Sequence, residues 1–133
     1  MDPRVIYEDK NFLVIDKPAN LLVHRAGHPK SEILNPKPPT VVGWLLEHYP
    51  EVRGVGDDPE MRPGIVHRLD KDTSGVMLAA KNQKTFDYLK NLFQKREIKK
   101  TYLALVYGKV QPKAGVIEKP IYLKSGTIKR TVH

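Results

Sequence analysis

Pro29, Pro36, Pro38 and Pro39, set among Gly, Ser and Lys, block regular structure between Arg25 and Pro39. A chain interrupted in this way can be built only from short elements on either side of a long loop. Before the loop, Val5 to Tyr7 and Phe12 to Ile15 read as short strands around the polar turn Glu8 to Asn11, which predicts a hairpin, and Leu21 to His24 reads as a further short strand. After it, Thr40 is placed to cap a helix through Val41, Trp44 and Leu45 to about His48, before Pro50 stops it. A second loop, Glu51 to Met61, is of a length that is uncommon in compact domains and often functional. Further on, Val76 to Ala80 reads as a buried strand. Asn82 can cap a helix over Gln83 to Lys95, whose Phe86, Leu89 and Phe93, with Tyr88 and Leu92 beside them, form a core stripe. Ile98 to Tyr107 alternates as a strand ended by Gly108, and weaker strands follow around Gly115 to Glu118 and Ile121 to Leu123. Short strands mixed with two helices predict an α+β fold, with a mixed, largely antiparallel sheet and flanking helices.

At 133 residues the chain fits one domain, large enough to bury a core without covalent staples. It contains no cysteine, which excludes disulfides and thiolate metal sites and agrees with a reducing compartment. Of the five histidines only His24 and His28 are four residues apart, and neither lies in a predicted helix, so no helical metal-site pattern is carried. No apolar run approaches a membrane span, and the amino-terminal MDPRVIYEDK carries charges where a signal peptide is apolar. A cytoplasmic monomer without metal is therefore expected. The net charge is +8, and its distribution matters more than its size: residues 1–93 hold 13 Lys/Arg and 13 Asp/Glu, whereas residues 94–133 hold 10 and 2. The whole excess lies in the last 40 residues. Such a field attracts phosphates. A solvated basic face is the ordinary alternative, and the few aromatics among these charges do not favour a single-strand stacking platform.

The most informative string is RPGIVHRLDKDTSG, residues 62–75, in which one carboxylate sits among basic residues and turn formers. If Gly64 to Leu69 is extended, Arg68 and Asp70 point one way and His67 and Leu69 the other. A guanidinium beside the carboxylate favours its ionised form, as a nucleophile or base requires. Asp72-Thr73-Ser74-Gly75 then supplies turn chemistry, which places Asp70 at a strand end where a scaffold can present it. Taken alone, an aspartate before a turn is more often a cap, Arg68 a surface ion-pair partner and His67 a packed or solvated side chain. Tyr102 shares one face with Ala104 and Val106, for which core packing is the default.

Three segments together resemble the RluA-like pseudouridine synthases. They are His67-Arg68-Leu69-Asp70-Lys71 continuing to Thr73-Ser74-Gly75, the opening IYEDKNFLVIDKPANLLVH of residues 6–24 with Lys17-Pro18 and a turn, and IKKTYLALVYG of residues 98–108 with its K-x-Y pair Lys100 and Tyr102. The resemblance implies an enzyme that detaches uracil from ribose in RNA, turns it, and rejoins it through carbon, with no cofactor and no metal. Ribosomal or transfer RNA is the implied substrate. Asp70 matches the catalytic aspartate, acting on the sugar, on the uracil ring or by elimination from the ribose. Arg68 matches the arginine that pairs with it and fills the space left by the flipped nucleotide, and Tyr102 the tyrosine stacked near the target base. Lys71, Lys99 and Lys100 are candidates for RNA contact. Extrusion is also a physical requirement, because a base cannot be isomerised inside a helical stack.

The resemblance also implies what this chain lacks. The opening strand begins almost at Met1, so no separate S4-type RNA-binding domain is expected ahead of a catalytic domain over residues 1–133. The family's later motif is not found, so that domain is expected to be partial, and the chain alone to have little or no turnover. Two other readings stand beside the synthase. One is a non-catalytic basic RNA-binding module in which Asp70 is a turn residue; the other is a nucleoside- or glycoside-cleaving hydrolase that pairs Asp70 with Asp72, weakened because two acids in one turn rarely face each other across a substrate.

Overall fold

The computed structural model describes residues 1–25, 39–111, 113–123 and 130–132. They form two compact units, Met1–Lys100 and Thr101–His133. In the first, strand β1 (Arg4–Glu8) and strand β2 (Phe12–Lys17) make the expected hairpin. Its polar turn is closed by Asp9, whose Oδ1 accepts from the Asn11 and Phe12 backbone N–H groups at 2.7 and 2.9 Å. These two donors hold the Asp9 carboxyl below the usual carboxylate range. The register shifts between Val5 and Tyr7, leaving Ile6 as an extra residue in β1. On its other side β2 pairs antiparallel with β3 (Gly75–Ala80), from Phe12 opposite Ala80 to Lys17 opposite Gly75.

Both helices start where the sequence places them. Helix α1 (Val41–His48) is capped by Thr40, whose Oγ1 accepts from Gly43 N–H, and α2 (Gln83–Gln94) by Asn82, whose Oδ1 accepts from Thr85 N–H. Each cap satisfies one orphan donor of the first turn, typically contributing about 1 kcal/mol. A 3-10 turn, Pro50–Val52, follows α1, beginning at the proline that stops the helix and running into the stretch expected to be a loop.

The sheet buries opposite faces differently. Leu13, Ile15, Met77 and Ala79 pack with Val41, Val42 and Leu45 of α1 and with Leu69 in the larger core cluster. On the other face, Phe86 and Leu89 of α2 pack with Ala80, flanked by Phe12, Leu78 and Leu92. Of the α2 stripe, Phe86 and Leu89 are core, Leu92 and Phe93 are half-buried, and Tyr88 is exposed because the helix turns it away from the sheet. Lys81, with its side chain only 8% exposed, ties the hairpin to the 3-10 turn through Glu8 at 2.6 Å and Glu51 at 3.2 Å.

The α+β class and the antiparallel sheet agree with the sequence reading; several strand assignments do not. Leu21 to His24 contributes only one bridge, Leu22 to Thr40. Residues 98–107 carry no strand, and neither do residues 115–118. Alternation supplies two faces but no ladder, and among the described residues no strand pairs with 98–107. Tyr102 and Val106, read as core, are 62% and 55% exposed. In the second unit, β4 (Ile121–Leu123) pairs antiparallel with β5 (Arg130–Val132). Of the long loop from Arg25 to Pro39, residues 26–38 lie outside the described residues.

Candidate active site

The segment leading to Asp70 runs beside the free edge of β3 but is not a strand. Gly64 brings it there. Its N–H donates to the Val55 carbonyl at 2.9 Å and its own carbonyl accepts from Ala80 N–H at 2.8 Å. Its φ is +72°, and a Cβ there would lie 2.6 Å from the Ala80 carbonyl oxygen, so only glycine fits. Ile65 forms a single bridge with Ala79, after which the main chain leaves the ladder. The imidazole of His67 takes over as partner, its Nε2 accepting from Leu78 N–H at 3.0 Å. The extended run expected for Gly64 to Leu69 is therefore reduced to that one bridge.

His67 is a neutral structural acceptor. Burial, with a smaller contribution from the Lys100 ammonium, pushes its pKa down to about 4. Its ring stacks on Phe93 at a centroid distance of 4.4 Å, and Lys100 Nζ lies 5.1 Å from the centroid of that same ring. Lys100 and the segment leading to Asp70 are thereby joined through one aromatic side chain of α2.

Past His67 the side chains alternate as the sequence requires: Arg68 and Asp70 are exposed, and Leu69 between them is buried in the larger core cluster. Leu69 anchors the peptide while leaving the carboxylate in solvent. Among the described residues no ion pair joins Arg68 to Asp70, so the close guanidinium–carboxylate pair expected from sequence is not formed. The backbone turns immediately afterward, with Thr73 N–H donating to the Asp70 carbonyl at 3.2 Å, and enters β3 through Gly75 at a φ of +130°.

Lys17 enters the sequence reading only as part of the Lys17-Pro18 motif, with no role of its own. It continues the alternation of Leu13 and Ile15 on the core face of β2, and its side chain is fully buried. Its Nζ donates to the carbonyls of Pro18 and Leu21 at 2.8 Å each and of Lys71 at 2.9 Å. Three donors meet three acceptors. Burial lowers its pKa, and the negative charges of Asp72 and Asp70 oppose that shift. The same two-residue period that marks Leu13 and Ile15 as core was the signal that could have found it.

Of the remaining candidates, Lys71 is exposed on the same loop as Arg68 and Asp70, and Lys99 is exposed near the end of the first unit. Tyr102 belongs to the second unit. Among the described residues no group of three His, Cys, Asp or Glu side chains is arranged to hold a metal, and no helix is long and apolar enough to cross a membrane. What the loop offers chemically is two solvent-facing carboxylates, Asp70 and Asp72, on a braced backbone, with the cationic side chains of Arg68 and Lys71 beside them.

The family model described as RNA pseudouridylate synthase matches residues 11–132. The chain is 42% identical over 118 residues to ribosomal large subunit pseudouridine synthase D of Pseudomonas aeruginosa, covering 88% of this chain and 32% of that protein. It is 38% identical over 122 residues to the RNA pseudouridine synthase YlyB of Bacillus subtilis, covering 91% and 37%. Among solved structures, human RNA pseudouridylate synthase domain containing 4 aligns with a TM-score of 0.43 and 29% identity, over 70% of this chain and 30% of that one. The chain spans about a third of the length of the curated relatives it matches. With its RluA-like string carried on a loop braced against the sheet, the chain belongs to the RNA pseudouridylate synthase family.

Proposed function

We propose that the chain provides the catalytic aspartate of an RNA pseudouridine synthase, Asp70 acting on a uridine extruded from ribosomal or transfer RNA. The observation that carries this reading is the presentation of Asp70: a solvent-facing carboxylate one residue after a buried leucine, on a loop fixed by backbone hydrogen bonds. A reaction that detaches and rejoins a base needs such a group held still while a nucleotide is brought to it. Arg68, exposed on the same side, occupies the gap that the flipped nucleotide leaves, and Tyr102 stacks on the target base. Lys71, Lys99 and Lys100 contact phosphates, in keeping with the basic excess of residues 94–133. Residues 1–133 belong to the catalytic domain, and the absence of cysteine suits a reducing compartment such as the cytoplasm. The relatives named for the large ribosomal subunit favour ribosomal RNA over transfer RNA.

Tritium release from RNA labelled at uridine carbon-5 tests the proposal. Release is expected from an extended chain that carries residues 1–133, little or none from residues 1–133 alone, and none from Asp70→Asn in the extended chain, with RNA affinity retained in the variant. Equal release by Asp70→Asn would remove the aspartate from the chemistry. A folded extended chain that binds RNA in a salt-sensitive way, releases no tritium and is indifferent to Asp70→Ala is instead a non-catalytic RNA-binding module.

A further inference from the structure

Leu21 and Val23, after the turn that follows β2, are buried, so alternation sends Leu22 and His24 to the other side, where both are half-buried. The segment is pinned by the start of α1, whose Val41 and Val42 N–H groups donate to the Leu22 and Val23 carbonyls at 2.9 and 3.0 Å. His24 is thereby held in place. Its Nδ1 is buried without a hydrogen-bond partner, whereas Nε2, also without a protein partner, is not closed off from solvent. A buried N–H lacking an acceptor is costly, so the neutral ring carries its proton on the accessible Nε2. Burial holds the His24 pKa below the usual histidine range; the charges of Arg68 and Arg62 add to this, and Asp58 opposes them. Both arginines are exposed, and among the described residues neither forms an ion pair. Arg62 is fixed by its own turn, its N–H donating to the Asp58 carbonyl at 2.9 Å and its carbonyl accepting from Ile65 N–H at 3.2 Å. A neutral donor thus lies in the field of two unpaired guanidiniums, one of them two residues before Asp70.

We propose that His24, Arg62 and Arg68 form a seat for one backbone phosphate of the RNA, directly beside the uridine on which Asp70 acts; this rests on the proposed role of Asp70. A phosphodiester carries one negative charge over two free oxygens, so one oxygen can accept from His24 Nε2–H while the guanidiniums take the other. The division of labour has a physical reason. A third cation at position 24 would be repelled by Arg62 and Arg68 before any RNA arrives, whereas a neutral imidazole adds a directed hydrogen bond without that cost. The seat is compatible with Arg68 standing in the gap left by the flipped nucleotide, because that gap is bounded by the nucleotide's own phosphates. It is one directed contact in a charge-balanced part of the chain, and it adds to the diffuse field of residues 94–133.

The test has two arms. In the first, the chain labelled with nitrogen-15 at histidine is titrated with inorganic phosphate and then with a short RNA that has one central uridine. The His24 ring signals should be those of the Nε2–H tautomer, should move with phosphate in wild type and not in Arg62→Gln, and RNA should displace the phosphate. In the second, each phosphate of that RNA is replaced in turn by a neutral methylphosphonate. Affinity for wild type should fall on the order of 10-fold at one of the two phosphates flanking the uridine, and that loss should disappear in His24→Ala. Ring signals that ignore both phosphate and RNA overturn the proposal in wild type alone, whether or not the variants fold. Phosphate that RNA does not displace is an adventitious ion only and overturns it as well. So does a methylphosphonate loss that is equal in wild type and a folded His24→Ala, or one confined to phosphates away from the uridine. If an extended chain releases no tritium while the loss still depends on His24, the synthase reading fails and the phosphate seat stands as an RNA contact.

Discussion

Gly64 shows how much of the site depends on one missing side chain. It lies where the chain approaches β3 most closely, linked to Val55 on one side and Ala80 on the other, in a left-handed conformation with no room for a Cβ. Gly64→Ala should lower stability by about 2 kcal/mol or more, the left-handed cost plus displacement of the Ala80 carbonyl. Urea denaturation measures this directly. Because the shift occurs six residues before Asp70, tritium release should fall in the same variant even where it remains folded. At this scale the sequence was legible wherever residue type and role coincide. Asp70 and Arg68 stood out as a charged pair among turn formers, and their shared exposure followed from simple alternation. Lys17 did not stand out, because a lysine is read as surface until its position in the alternation is counted. The absence of an Arg68–Asp70 ion pair could not be read either, since sequence spacing places two side chains on one side without setting the distance between their tips.

At the scale of elements, the connection between α2 and the Asp70 segment passes through His67. A histidine exposed in the unfolded chain titrates near 6.5, and the folded one near about 4. Between those values the unfolded chain binds a proton that the folded chain does not. The stability contributed by neutral His67 is therefore complete above about pH 6.5 and is lost as pH falls through about 4, by at most about 3 kcal/mol. Denaturation at about pH 7 and about pH 4.5 should show this loss in wild type. His67→Gln, which keeps an acceptor for Leu78 N–H but does not titrate, should show a smaller difference between the two. The elements themselves were legible where chemistry marks their ends: Thr40 and Asn82 cap the two helices, and Asp9 closes the hairpin. Residues 98–107 were misread because a strand is a relation between two segments, and alternation in one says nothing about the presence of the other. His67 has the same lesson in reverse, a side chain standing in for a ladder carbonyl in a way no periodicity announces.

For the whole molecule, the separation of charge is the property that bears on substrate. Residues 1–93 are balanced, with 13 Lys/Arg and 13 Asp/Glu, so the electrostatic part of RNA affinity should come from residues 94–133. Replacing Lys99 and Lys100 together by glutamine should weaken binding to all RNAs alike and reduce the slope of log K against log salt by about 0.7 per lysine for single strands. An unchanged slope would place the phosphate contacts elsewhere. The bulge at Ile6 concerns how copies of the chain meet one another. β1 is an edge strand among the described residues, and Val5, Ile6 and Tyr7 are 37%, 50% and 50% exposed. A straight, apolar edge of this kind invites a second copy to add its own strand. The extra residue breaks the row of outward N–H and C=O groups into two pieces, each too short to guide such pairing. Deleting Ile6 would straighten the row, and light scattering at rising concentration should then report self-association that wild type resists. The irregular residue in the outermost strand is then expected to guard solubility.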